Sequence, residues 1–180
     1  MKFGVFLPNG SNGYIISKAI PPYLPTWELN KAVTIEAERQ GLDFVLSMMK
    51  FRGFGGETGY WDACLESFSL MSALATVTDR IGLIPTVTIL ALHPAYVARM
   101  MATLDDISNG RTALNIVSGW NKPEYAPDGT LAWGRVLCTT VRICAGLCPH
   151  PSDAMAGWSR DTSQSLLRVG RLQLPTDSSP

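Results

Sequence analysis

A chain of 180 residues has the length of one domain. With 46% hydrophobic and 17% charged residues it can bury a core, which excludes a disordered composition. Fifteen Lys and Arg balance fifteen Asp and Glu, so no basic footprint points to nucleic acid or to an anionic membrane. The opening MKFGVFLPNG carries one lysine and a short apolar run broken by proline, which does not fit a secretory signal. No apolar run approaches the roughly 18 residues of a membrane span. The expectation is a cytoplasmic protein that binds neither membrane nor nucleic acid. Cys64 stands apart, while Cys138, Cys144 and Cys148 cluster late in the chain. A zinc site on Cys144 and Cys148 would lack its second pair of ligands, so free thiols in a reducing compartment are expected.

In chain order, KFGVFLP (2–8) predicts a buried strand that Pro-Asn-Gly turns into a loop. TWELNKAVTIEAERQG (26–41) has helical spacing, with Thr26 as cap, Glu28 in the first turn and Gly41 as stop. DFVLSMM (43–49) predicts a second strand, and ESFSLMSALATVTDR (66–80) a second helix. IGLIPTVTI (81–89) predicts a third strand. PAYVARMMATLDDISNG (94–110) predicts a third helix, begun by Pro94 and ended by Asn109-Gly110. TALNIVSG (112–119) predicts a fourth strand.

Strand and helix alternate, which implies a parallel sheet, either doubly wound or closed into a (β/α)8 barrel. In both, chemistry gathers at the C-terminal ends of the strands. Those ends hold Pro8 and Asn9, Ser47 to Lys50, Thr86 to Thr88, and Ser118 to Asn121. Thr86, Thr88 and Asn115 are polar residues inside apolar runs, so they face either a ligand or hydrogen-bond partners in the core. FRGFGGETGYWD (51–62) has glycines but no phosphate-loop pattern opening a helix. Its rings suggest a mobile, aromatic-lined flap over a planar ligand.

LSMMKFRGFGGETGYWDACLESFSLMSALATVTDRI, HPAYVARMMATLDDISNGR and LNIVSGWNKPEY together carry a resemblance. Over residues 1 to about 126 the chain resembles the luciferase-like flavin monooxygenases, and within them the branch that opens pyrimidine rings. The RGFGG and GWNKPEY segments are its most specific parts. The resemblance implies the first four βα units of an α/β (β/α)8 TIM barrel with FMN at its C-terminal mouth. It implies a monooxygenase in which FMN, reduced by a partner flavin reductase using NAD(P)H, activates O2 as a flavin peroxide. That species opens uracil or thymine between N3 and C4, a step in pyrimidine catabolism. Carried over residue by residue, the flavin contacts fall on Met49, Lys50, Asn115 and Glu124. The oxygen-handling catalytic pair falls on Thr86 and Asn115, and Trp120 sits at the substrate end. No metal is implied, and a full-length protein could form a homo-oligomer.

The residue chemistry agrees. A flavin is a flat apolar body with a polar edge, suited by an aliphatic bed such as Met48-Met49 and a few fixed hydrogen bonds. An amide such as Asn115 can donate to developing negative charge without exchanging a proton. Each residue has a plainer alternative: Met49 as core, Lys50 as a solvated surface charge, Glu124 as a helix-start residue after Pro123.

From Pro127 the family's continuation (roughly QMG-x-WPGD-x-YF-x-RRY-x-Y, later YV-x-LR-x-LW) is absent, and 127–180 show neither helical nor strand periodicity. The genetic code offers a reason. Reading from the second base of the Pro127 codon, residues 127–135 permit QMGLWPGDE. The next stretch permits YYARRYEYA, and Leu147 to Ala156 permit YVRILRTLW. Two places have no freedom: Trp133-Gly134 must yield Gly and Met155-Ala156 must yield Trp, and both agree with the family. Residues 127–180 are therefore expected to be a frameshift product with little regular structure, which would leave half a barrel with open edges. The alternatives are a non-functional fragment of the pyrimidine-opening enzyme, or another luciferase-like enzyme of the alkanesulfonate monooxygenase or deazaflavin-reductase kind. RGFGG and GWNKPEY argue against the last.

Overall fold

A computed structural model describes residues 1–119 and 121–125, together with the backbone of a strand at Ser165–Leu167. The elements run β1 (Gly4–Phe6), α1 (Trp27–Arg39), β2 (Phe44–Leu46), α2 (Ser67–Ala75), β3 (Gly82–Ile84), β4 (Thr86–Thr88), α3 (Pro94–Ser108), β5 (Leu114–Val117), α4 (Lys122–Tyr125) and β6 (Ser165–Leu167).

The helices begin and end where their caps dictate. Thr26 accepts from Leu29 N at the head of α1. Glu66 accepts from Phe68 N and Ser69 N at the head of α2. Pro94 opens α3, and Asn109 closes it in the left-handed region at φ 55°, a conformation that asparagine tolerates. The second helix stops at Ala75, short of the expected residue 80. The Thr76 and Thr78 hydroxyls donate to Ala73 O and Leu74 O, and the Arg111 guanidinium takes Ala75 O and Thr78 O. Side chains thus satisfy the last carbonyls, and the helix has no further turn to make.

β1, β2 and β3 pair in parallel in that order, with Val45 between Val5 and Leu83. The expected third strand is interrupted at Pro85, which has no amide proton to donate, and continues as β4. Pairing with the next strand spans the break: Ala113 N donates to Leu83 O, Asn115 N to Pro85 O, and β4 lies parallel to β5. The expected alternation is therefore present as parallel strands in chain order. One difference concerns the far edge. β5, expected to be open, pairs antiparallel with β6.

Two apolar clusters lie between sheet and helices. Leu7, Val45 and Leu83 pack with Leu70, Met71 and Leu74 of α2, Ala37 of α1 and Leu104 of α3. Val87 and Leu114 pack with Phe68, Val97 and Met101. Each fully buried leucine here contributes about 2 kcal/mol. Strand alternation then sends Thr86, Thr88 and Asn115 to the opposite, inner face of the sheet, away from the packed α2 and α3.

Candidate active site

The inner-face polar residues are joined by a buried hydrogen-bond chain. Asn115 Nδ2 donates to Thr86 Oγ1 at 2.9 Å, and the Thr86 hydroxyl donates to the Ser47 carbonyl. Thr86 N donates to Ser67 Oγ at 2.8 Å, and Ser67 Oγ meets Ser47 Oγ at 2.6 Å. All four residues are at most 4% exposed. The proposed catalytic pair Thr86 and Asn115 is thus brought into direct contact. One acceptor on this face, Asn115 Oδ1, is buried without a hydrogen bond to any described residue. Leaving a buried acceptor bare costs about 1–3 kcal/mol, which a ligand donor would recover.

Thr88 lies beside Gly119, whose φ is +74°. A side chain at that position would stand 2.8 Å from Thr88 Oγ1 and 3.0 Å from the Tyr125 ring. Only glycine fits. Burial raises the Tyr125 phenol above its ordinary value, the nearby Thr88 hydroxyl tempers the rise, and Glu124 adds to it.

Lys50 and Glu124 meet each other at 2.8 Å, with side chains 5% and 4% exposed. Lys50 is therefore not a solvated surface charge. The other Glu124 oxygen accepts from Phe51 N at 3.0 Å and sits 3.5 Å from Arg52 N. The carboxylate anchors the root of the flap across 73 residues of chain. The Lys50 ammonium also lies 4.7 Å from the Phe54 ring and 5.7 Å from the Trp61 ring.

The flap packs its rings on one another. Tyr60 stacks on Trp61 at 4.6 Å, Phe54 on Tyr60 at 5.8 Å, and Tyr14 meets Trp61 edge-on. Trp61 sits at φ +61°, unfavourable for a bulky residue, and is held there by Nε1 donating to Gly13 O and N to Ser11 O. Asn12 and Ser11 donate to Thr58 O and Gly59 O. Ring stacking and segment 11–13 thus hold the loop expected to be a mobile, aromatic-lined flap.

Met48 is 5% exposed and Met49 half-buried at the end of β2. Asn9 fixes the Met48 backbone: its amide accepts from Met48 N at 3.0 Å and donates to Met48 O at 2.9 Å and Leu65 O at 3.1 Å. Cys64, beside it, is a free thiol that burial pushes up to about 11. Trp120 lies outside the described residues, as do Cys138, Cys144 and Cys148. Ser67 was missed by sequence reasoning because a serine after a helix cap reads as part of the cap. Its signal was the facing polar strand end at Ser47. A cleft of about 180 Å³ between Asn12–Tyr23 and Glu57–Thr58 contains none of the site residues.

Parallel strands in chain order carry buried polar residues at their C-terminal ends, where α/β and barrel folds gather their chemistry. Residues 1–140 match the family model described as Luciferase-like monooxygenase, and the chain belongs to that family. It is 58% identical over 129 residues to the pyrimidine monooxygenase RutA of Methylorubrum extorquens AM1, covering 72% of this chain and 35% of that protein. It is 57% identical over the same length to RutA of Rhizobium rhizogenes, covering 36% of that protein. The chain thus spans about a third of the length of these relatives. Among solved structures it resembles riboflavin lyase RcaE (TM-score 0.61, 20% identity, 80% of this chain and 38% of that one). It also resembles EDTA monooxygenase of Chelativorans sp. BNC1 (TM-score 0.61, 15% identity, 92% and 44%). These two likenesses concern the fold.

Proposed function

We propose that residues 1–126 are the N-terminal part, about a third of the length, of an FMN-dependent monooxygenase that opens the uracil or thymine ring between N3 and C4. Identity of 57–58% to RutA proteins supports the substrate class. The structural observation that carries the reading is the bare acceptor Asn115 Oδ1 on the inner face. It suits a planar heterocycle bearing an N–H group. FMN fits this donor set: Met49 offers apolar surface, and Asn115, Lys50 and Glu124 offer polar contacts. When bound and reduced by a separate NAD(P)H-dependent reductase, FMN would supply the electrons that activate O2.

The chain's own residues position and polarise. Thr86 has its hydroxyl proton committed to Ser47 O and its amide proton to Ser67 Oγ. It holds Asn115 and supplies no proton. Asn115 keeps one Nδ2 proton beyond the one given to Thr86, a donor for an oxygen atom of the co-substrate. Glu124 and Lys50 keep the flap root closed so that water is excluded. Trp120, next to Gly119, is assigned to the pyrimidine.

We further infer that residues 127–180 come from a shifted reading frame, supported by the codon reading that yields QMGLWPGDE and the two obligatory matches at Trp133-Gly134 and Met155-Ala156. The test is to remove the first base of the Pro127 codon, express the restored frame, and assay it with FMN, NADH, a flavin reductase and uracil. Loss of uracil absorbance with O2 uptake is expected, and Asn115→Ala should slow it about a hundredfold. A restored protein that consumes alkanesulfonate and leaves uracil intact would overturn the assignment.

A further inference from the structure

The direction of the Asn115 amide is set from outside the site. The Thr86 hydroxyl proton is spent on Ser47 O, so its Oγ1 can only accept and Asn115 must turn Nδ2 toward it. The Thr86 amide proton goes to Ser67 Oγ, which holds the backbone that carries this hydroxyl. An amide turned the other way would set two oxygens against each other, or strip the Ser47 carbonyl of its donor. Both are costly at this burial. Ser67 joins the chain from the first residue of α2, tied at once to Thr86 N and to Ser47 Oγ.

We propose that Ser67 is a positioning residue: by holding the Thr86 and Ser47 segments so that the Thr86 hydroxyl reaches Ser47 O, it keeps the Asn115 side chain with Nδ2 turned into the sheet and Oδ1 bare as an acceptor. The inner face therefore reads an N–H donor at this point. A ligand presenting only a carbonyl or an N-methyl group there would leave Oδ1 unpaired. The identity of that ligand rests on the function proposed above, but the lock does not, so it is tested without ligand.

The experiment is side-chain amide NMR of the full 180-residue chain labelled with 15N-asparagine. One Asn115 Nδ2 proton is expected to be shifted downfield and protected from solvent exchange at least tenfold relative to its geminal partner. Thr86→Val should abolish that asymmetry and Thr86→Ser restore it. Ser67→Ala should reduce it, and Ser67→Thr should recover it. The Asn9 and Asn30 amides, held by bonds outside the chain, serve as internal reporters of folding and should not move. If Thr86→Val fails to fold, Ser67→Ala carries the same reading, since it deletes a single oxygen. Unchanged Asn115 protons in Ser67→Ala, with Asn9 and Asn30 intact, would overturn the proposal. So would two equivalent, fast-exchanging Asn115 protons in the parent chain. Failure of the frame-restored protein to take up FMN would count against the proposed function and leave this result standing.

Discussion

Glu124 shows how one side chain ties distant segments together. Its carboxylate serves Lys50 and the amide of Phe51, both within a site almost closed to solvent. Removing one partner of such a pair strands the other, at a cost of about 3 kcal/mol. Glu124→Ala should therefore loosen the flap root. Tryptic cleavage after Arg52 reads this directly, because proteolysis follows the population of the open form. That rate should rise on the order of a hundredfold. Cleavage at the parent rate would mean that the ring stack alone holds the loop.

Cys64 makes the opposite point, that a nucleophilic side chain need not be a site. Its thiol is pushed up to about 11, chiefly by burial, with Glu124 and Glu66 adding to the rise and Lys50 opposing it. The thiolate is therefore scarce at neutral pH. Peptide mapping after brief iodoacetamide treatment at pH 8 should find Cys64 largely unmodified, and urea should expose it.

Among the elements, termini and breaks decide the architecture more than propensity does. Sequence order made the alternation of strands and helices legible, as well as the caps at Thr26 and Pro94 and the left-handed exit at Asn109. It could not show that α2 ends at Ala75. That end is made by Arg111, 36 residues away, whose five hydrogen bonds gather Ala75 O, Thr78 O, Thr78 Oγ1, Ile81 O and Ser108 O. Arg111→Ala should cost about 2–3 kcal/mol by orphaning these groups, seen as a lower urea midpoint.

Glu38 does comparable work from α1, accepting from Asp79 N, Arg80 N and Ile81 N. Partial burial raises its carboxyl, but the bonds from Arg80, Ile81 and Asp79 outweigh this and leave it below the usual carboxylate range. A carboxylate lowered in the folded state stabilises above its unfolded value, and that share is lost as pH falls through the folded value. Glu38→Gln should lower the urea midpoint at pH 7, and the gap from the parent should close below about pH 4.

Across the whole molecule, the contacts among the proposed site residues were legible where strand ends carried polar residues. Thr86 and Asn115 do meet, and Lys50 and Glu124 do converge, though on each other. Ser67 and Asn9 were not legible as parts of the same system, since their partners lie 19 and 39 residues away. Only packing reveals them.

Phe3, just before β1, and Phe6 at its end remain 60% and 37% exposed, and β1 pairs with β2 alone among the described strands. An apolar strand edge of this kind invites association. Phe3→Lys should raise the concentration at which light scattering first detects oligomers.

The central claim is that a genuine flavin site begins in residues 1–126 and is completed only in the other reading frame. FMN retained per polypeptide after gel filtration tests it most directly, measured on these 180 residues and on the frame-restored protein side by side. The account predicts about one FMN per restored chain and none on the 180-residue polypeptide, consistent with the divided site of a barrel enzyme. Stoichiometric FMN on the 180-residue chain, or none on the restored protein, would contradict it.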